Sequence, residues 1–162
     1  MSSFEYQQTL PKKRMGSGAL FFNQKGELLL VEPSYKPTWE IPGGVVEAHE
    51  SPKSCCEREI AEELGLSLTV GRLLCVDYNA TTPERLESLM FIFDGGTLND
   101  ETIALIKLQA DELLSFRFFS KEQLPLNLSA TLKGRILVSW ANRETPLNKG
   151  VVYIEESKLS KS

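Results

Sequence analysis

Three glutamates, Glu59, Glu62 and Glu63, are spaced so that a helix through them gathers their carboxylates on one side. At about 100° of rotation per residue they share a sector of roughly 100°. Like charges three and four residues apart repel, and a helix shaped by stability alone would alternate signs there. A divalent cation removes that repulsion, and hard carboxylate oxygens suit Mg²⁺ or Mn²⁺. Such an ion activates water and neutralises phosphate charge. The competing reading of an isolated E-x-x-E-E is a solvated acidic face, so its surroundings decide.

Those surroundings supply a helix with defined ends. Ser51 stands where an N-cap belongs, and Pro52 follows at the first helical position, where its missing N–H costs nothing. Gly65 is placed to stop the helix in a left-handed conformation. Cys56, Ile60 and Leu64 fall on the apolar stripe and should fasten the helix to a core. Upstream, Pro42-Gly43-Gly44 turns the chain toward the helix through a short acidic loop.

At full length the spacing is Gly44, five residues, Glu50, seven residues, and then Arg58-Glu59-Ile60-x-Glu62-Glu63-x-Gly65-Leu66. Seven fixed residue types at an average usage of about 7% each coincide by chance roughly once in 10⁸ windows, so the pattern is not accidental. It resembles the Nudix box at every defined position, including the aliphatic Ile60 and Leu66. Trp39-Glu40-Ile41-Pro42-Gly43-Gly44 is similar to the lead-in usual in that family. A looser likeness runs from about Gly16 to Trp140.

The resemblance implies an α/β fold, a Nudix-type α/β/α sandwich with a mixed β-sheet between helices. It implies a hydrolase, dependent on Mg²⁺ or Mn²⁺, that cleaves the diphosphate linkage of a nucleoside diphosphate joined to another moiety. By resemblance Glu59, Glu62 and Glu63 are the metal ligands, with the Gly43 carbonyl an additional one. Arg58, adjacent to Glu59 and four residues before Glu62, orients the carboxylates through charge-assisted hydrogen bonds. Glu50 either orders the loop or reaches the metal shell. The general base is one of these glutamates or an acidic residue late in the domain. Glu112, beside Asp111, is the leading candidate, Asp100 and Glu101 are alternatives, and a solvated acidic turn is the other reading. Two other classes keep the metal helix: a non-catalytic nucleotide-binding Nudix module and a prenyl-diphosphate isomerase-like enzyme. Each goes with a box that departs from the pattern or, for the module, an appended DNA-binding domain.

The leaving group is harder to read. Tyr35, Trp39, Tyr78 and Phe118 offer rings that stack on any base, although Trp39 and Phe118 sit in apolar strands and suit the core better. Arg72, Arg85 and Arg117 either pair with phosphate or cover the surface. Tyr35, Trp39, Tyr78 and Arg85 are therefore the candidate substrate contacts.

The remaining elements follow from hydrophobic period and turn residues. Met15 to Phe22 and Glu27 to Glu32 form a hairpin around Asn23-Gln24-Lys25-Gly26. Val45 to Glu47 is a brief strand, and Leu68 to Asp77 is a strand pair or one bent strand. Glu87 to Asp94 is a central strand ended by Gly95-Gly96, and Phe116 to Phe119 is an aromatic strand. Ala130 to Asn142 is a second packing helix on Leu132, Ile136, Leu137 and Trp140. Residues 1–14 are expected to form a flexible N-terminal segment, 15–145 a single domain and 146–162 a loose C-terminal tail.

The 162 residues, 41% apolar and 25% charged, suit one domain with a buried core. A net charge of −4 argues against a nonspecific nucleic-acid binder, and the resemblance implies a small nucleotide-type molecule as the partner. No apolar run reaches membrane-spanning length, and Cys55, Cys56 and Cys75 lack zinc or disulfide spacing. A cytoplasmic monomer or homodimer with reduced thiols is expected. Cys55, nearer the carboxylates, is a weaker candidate for a reactive thiol.

Overall fold

Ala19 to Phe22 and Leu28 to Val31 are apolar without alternation, so both faces of any sheet holding them must be covered. The computed structural model, which describes residues 1–145 and 150–159, does this with helices on either side. Its strands are β1 (Arg14–Phe22), β2 (Leu28–Pro33), β3 (Gly43–Val45), β4 (Leu73–Asn79), β5 (Ser88–Thr97), β6 (Leu113–Phe119) and β7 (Val152–Glu155). They form one seven-stranded mixed sheet in the order β6-β2-β1-β5-β4-β7, with β3 added to β1. The β1–β5 and β4–β7 pairs are parallel. The helices are α1 (Ser3–Thr9), α2 (Pro52–Leu64), α3 (Asp100–Ala104) and α4 (Ala130–Arg143). Among the described residues no helix is long and apolar enough to cross a membrane.

On one face, Cys56, Ile60 and Leu64 of α2 pack on Ala19, Phe21 and Leu29. On the other, Leu132, Ile136 and Trp140 of α4 pack on Leu20, Phe22 and Leu30. Trp140 meets the Phe22 ring edge-on at 5.0 Å. Each such side chain contributes about 1.5–3 kcal/mol through burial. The expected α/β/α sandwich is the observed architecture. Leu137 is a detail that differs, since it lies on the outer edge of α4 and is 38% exposed.

The feature that positions the site is a split in the sheet. β1 and β2 pair at Phe22 and Leu28, beside their turn, and then part. The segment from Glu40 to Val45 fills the gap. Glu40 and Val31 exchange two backbone hydrogen bonds of 2.8 and 2.9 Å on the β2 side. On the β1 side the Ala19 N–H donates to the Pro42 carbonyl at 3.1 Å, and Gly43, Gly44 and Val45 register with Gly18, Ser17 and Gly16.

Several boundaries differ from the sequence reading. Residues 3–9 of the expected flexible segment are helical, because Ser2 and Glu5 form a reciprocal capping box; every residue of α1 is exposed. Gly95-Gly96 does not end β5. Asp94 registers with Leu20 and Gly96 with Phe21, so Gly95 is an extra residue in a bulge and the strand continues to Thr97. Of the 68–77 stretch only residues 73–77 are strand, and β4 continues to Asn79. The expected C-terminal tail includes β7, whose Ile154 is fully buried beside β4; residues 146–149 and 160–162 of that tail lie outside the described residues.

If β7 is an integral strand, Ile154→Ala lowers unfolding free energy by about 2–5 kcal/mol in urea titrations. A loss under about 0.5 kcal/mol, the level of a surface substitution, would show that the strand is not docked.

Candidate active site

The helix ends match their sequence signals. The Ser51 hydroxyl accepts from the Ser54 N–H at 3.1 Å, Pro52 starts α2, and Gly65 closes it at φ 66°. The buried stripe turns Glu59 and Glu63 toward the 43–45 segment, and the glycines there are required by what they meet. Gly43 has φ 154°, and a Cβ on it would run into the Ser17 carbonyl and come within 2.6 Å of the Gly18 Cα. A Cβ on Gly44 would collide with the Glu59 carboxylate. Backbone and carboxylate meet so closely only because neither glycine has a side chain.

Arg58 is the hub of the acidic cluster. Its Nε and Nη2 grip both oxygens of Glu50 at 2.7 and 3.1 Å. Its Nη1 donates to Glu59 at 2.9 Å and to Glu62 at 3.3 Å. The planar fork thereby holds three carboxylates in fixed relation, which a lysine could not do. The paired guanidinium draws Glu50 down to about 2, while the same contacts raise Arg58. Glu50 also accepts from the Glu47 N–H at 3.0 Å and so braces the loop before α2.

Glu63 sits apart from Arg58. Its Oε2 accepts from the Gly43 N–H at 3.1 Å. Burial raises its pKa to about 8, against the Gly43 bond, with the charges of Glu59, Glu112 and Glu40 adding to the rise. Burial also raises Glu59, opposed by Arg58. Glu112 is exposed, yet its charge reaches both Glu59 and Glu63, so the structure brings it to the site. Among the described residues no three ligating side chains already stand at ion-binding spacing, since Arg58 lies between Glu59 and Glu62. The donor set nevertheless fits a hard divalent cation: it is all oxygen, and burial raises two of its members, Glu59 and Glu63, in the absence of an ion. Cys55 does not join it as a nucleophile. Its thiol is buried against the Val45 carbonyl at 3.4 Å and is pushed up to about 12.

From Gly43, Gly44 and Glu63 a cleft of about 220 Å³ runs through the split between β1 and β2. Tyr35 and Lys36 stand at its mouth, with Lys36 paired to Glu40. Of the four candidate substrate contacts, only Tyr35 lines it. Trp39 instead packs edge-on against Phe119 at 5.3 Å as part of the core. Tyr78 donates to Glu87 at 2.9 Å, and Arg85 pairs with Glu156 at 2.8 Å, both away from the cleft. The sequence reading passed over Met90 and Arg135, which do line it, as does Arg14 of the N-terminal basic cluster Lys12-Lys13-Arg14. Arg135 had a signal: a charged residue on the apolar stripe of a helix, between Leu132 and Ile136.

The Glu63 carboxyl gives a pH test. It ionises near 4.5 ordinarily and near 8 in the fold, so across that window the unfolded chain binds fewer protons. Stability therefore falls as pH rises from about 4.5 to 8. Thermal unfolding in chelator should show this decline, Glu63→Gln should flatten it, and Mg²⁺ should restore more stability near pH 8 than near pH 6. An identical pH profile for wild type and Glu63→Gln would refute the assignment.

The sequence model of the NUDIX domain matches residues 12–140. A MutT-like protein of Streptomyces ambofaciens is 34% identical over 71 residues, 44% of this chain and 46% of that protein. Diphosphoinositol polyphosphate phosphohydrolase 2 of Rattus norvegicus is 39% identical over 75 residues, 46% of this chain and 42% of that protein. The matched segments thus span less than half the length of these curated relatives. Among solved structures, a UDP-X diphosphatase superposes with a TM-score of 0.72 at 25% identity, covering 95% of this chain and 75% of that one. With residues 12–140, most of this chain, matched by the domain's sequence model and the box folded as a capped helix facing a glycine turn, this chain belongs to the NUDIX domain family.

Proposed function

We propose that the protein is a divalent-metal-dependent pyrophosphohydrolase that cuts the diphosphate linkage of a nucleoside diphosphate joined to another moiety. The observation that carries this reading is the meeting of Glu59 and Glu63 with the Gly43-Gly44 backbone at one end of a cleft, with Glu62 linked to Glu59 through Arg58. The likeness to a diphosphoinositol polyphosphate phosphohydrolase and to a UDP-X diphosphatase supports it.

Glu59, Glu62 and Glu63 would hold Mg²⁺ or Mn²⁺, with Gly43 beside them. The ion supplies charge neutralisation on the phosphates and acidifies water. Arg58 keeps Glu59 and Glu62 oriented toward the ion while anchoring to Glu50, a positioning role. Glu112, exposed and electrostatically coupled to the cluster, is the group proposed to take the proton of the attacking water. That water adds to one phosphorus as its bond to the bridging oxygen breaks, leaving two phosphate monoesters. Tyr35 and Lys36 at the mouth flank the moiety that leaves.

A panel of nucleoside triphosphates, nucleotide sugars, ADP-ribose and dinucleoside polyphosphates, assayed with Mg²⁺ and with chelator, tests the reading. Glu62→Gln and Glu63→Gln should each lower turnover by about 10²-fold or more with unchanged circular dichroism. Near-normal turnover in both variants, or hydrolysis of nothing in the panel, would overturn it.

A further inference from the structure

The cleft's inner end holds a group that the hydrolytic machinery does not use. Arg135, on α4, is buried to 10% side-chain exposure and lines the cleft opposite the Glu63 end. Its Nε and Nη2 both lean on one oxygen of Asp77, at 3.0 and 2.9 Å. Asp77 is fully buried and is saturated from the other side, accepting the Ser157 N–H at 2.9 Å and the Ser157 hydroxyl at 2.8 Å. The guanidinium is thus locked at one edge. Among the described residues its Nη1 has no hydrogen-bond partner.

The walls beside it are apolar. Met90 registers with Asp77 on β4 and with Gly16 on β1, and its thioether lies where a Gly16 side chain would be, 2.5 Å from a Cβ built there. Gly16 and Gly18 let the Met90 and Ile41 side chains lie directly on β1, and Ile92 and Leu132 complete the slot. A slot with apolar faces and one donor at its end suits a flat heterocycle. Asp77 already neutralises Arg135, so a second full anion there would be buried without a counter-charge. A neutral carbonyl oxygen meets the free N–H without that penalty.

We propose that Arg135 is a specificity-determining residue that reads a ring carbonyl of the substrate's nucleobase, favouring guanine or uracil over adenine. The proposal rests on the nucleotide reading of the cleft. Arginine only donates, so it matches the acceptor edge of guanine or uracil and opposes the amino group of adenine. The base then lies inward between Met90 and Leu132, with its diphosphate directed toward Gly43 and Glu63.

Calorimetric titration with GMP, UMP and AMP tests this without any bond being cut. GMP or UMP should bind the wild-type protein at least about tenfold more tightly than AMP. Arg135→Lys keeps a positive charge against Asp77 but lacks the planar fork, and should bring the ratio within about threefold. AMP binding as tightly as both others overturns the proposal, as does a ratio unchanged in Arg135→Lys or no binding by any of the three. If Arg135→Lys fails to fold, the wild-type ratio still decides. A clear base preference in a protein that hydrolyses nothing would leave this assignment standing and overturn the catalytic reading alone.

Discussion

The structure around the glutamates depends on where positive charge is placed among them. Arg58 supplies one guanidinium to three carboxylates, and it spends its best geometry, a two-pronged grip, on Glu50 rather than on Glu59 or Glu62. That arrangement ties the loop before α2 to the helix and leaves the cluster short of cationic charge. Glu63 lies out of reach of Arg58, and its pKa is raised chiefly by burial, with the neighbouring carboxylates adding to the rise. The helix is held in place by Cys56, Ile60 and Leu64, so the repulsion on its outer side persists without unwinding it. Packing on one face thus sustains an electrostatic deficit on the other, and that deficit invites a divalent cation.

The same economy of parts shapes the cleft. Because β1 and β2 part after one paired position, the Glu40 to Val45 segment can enter the sheet and bring Gly43 and Gly44 against α2. On the opposite face the glycines of β1 make room for the Met90 and Ile41 side chains. One opening therefore touches both layers: carboxylates from α2 at one end and Arg135 from α4 at the other. Chemistry and selection are assigned to different helices, with the split sheet between them.

What the sequence disclosed follows the range of the interactions involved. α2 is legible because Ser51, Pro52 and Gly65 act on their own neighbours, and the carboxylate spacing is local too. That the Gly43-Gly44 turn belongs beside the α2 carboxylates was accessible through the resemblance rather than through any rule of spacing. β7 was hidden, because its stability comes from β4 and from Ser157 bonding to Asp77, 80 residues away. Tyr78, Trp39 and Arg85 had suitable chemistry for a ligand, but side-chain type does not reveal which partner is nearer. Trp39 found Phe119, Tyr78 found Glu87 and Arg85 found Glu156. Specificity residues are the least readable because they are brought together by topology alone.

The central claim is that the α2 carboxylates form a divalent-cation site. Titrating Mn²⁺ while following the paramagnetic resonance of the free ion addresses it directly, without a substrate. The account predicts saturable uptake by the wild-type protein, weakened about tenfold or more in Glu59→Gln, whose carboxylate sits against Gly44. Equal Mn²⁺ uptake by Glu59→Gln and the wild type, or none by either, would contradict it.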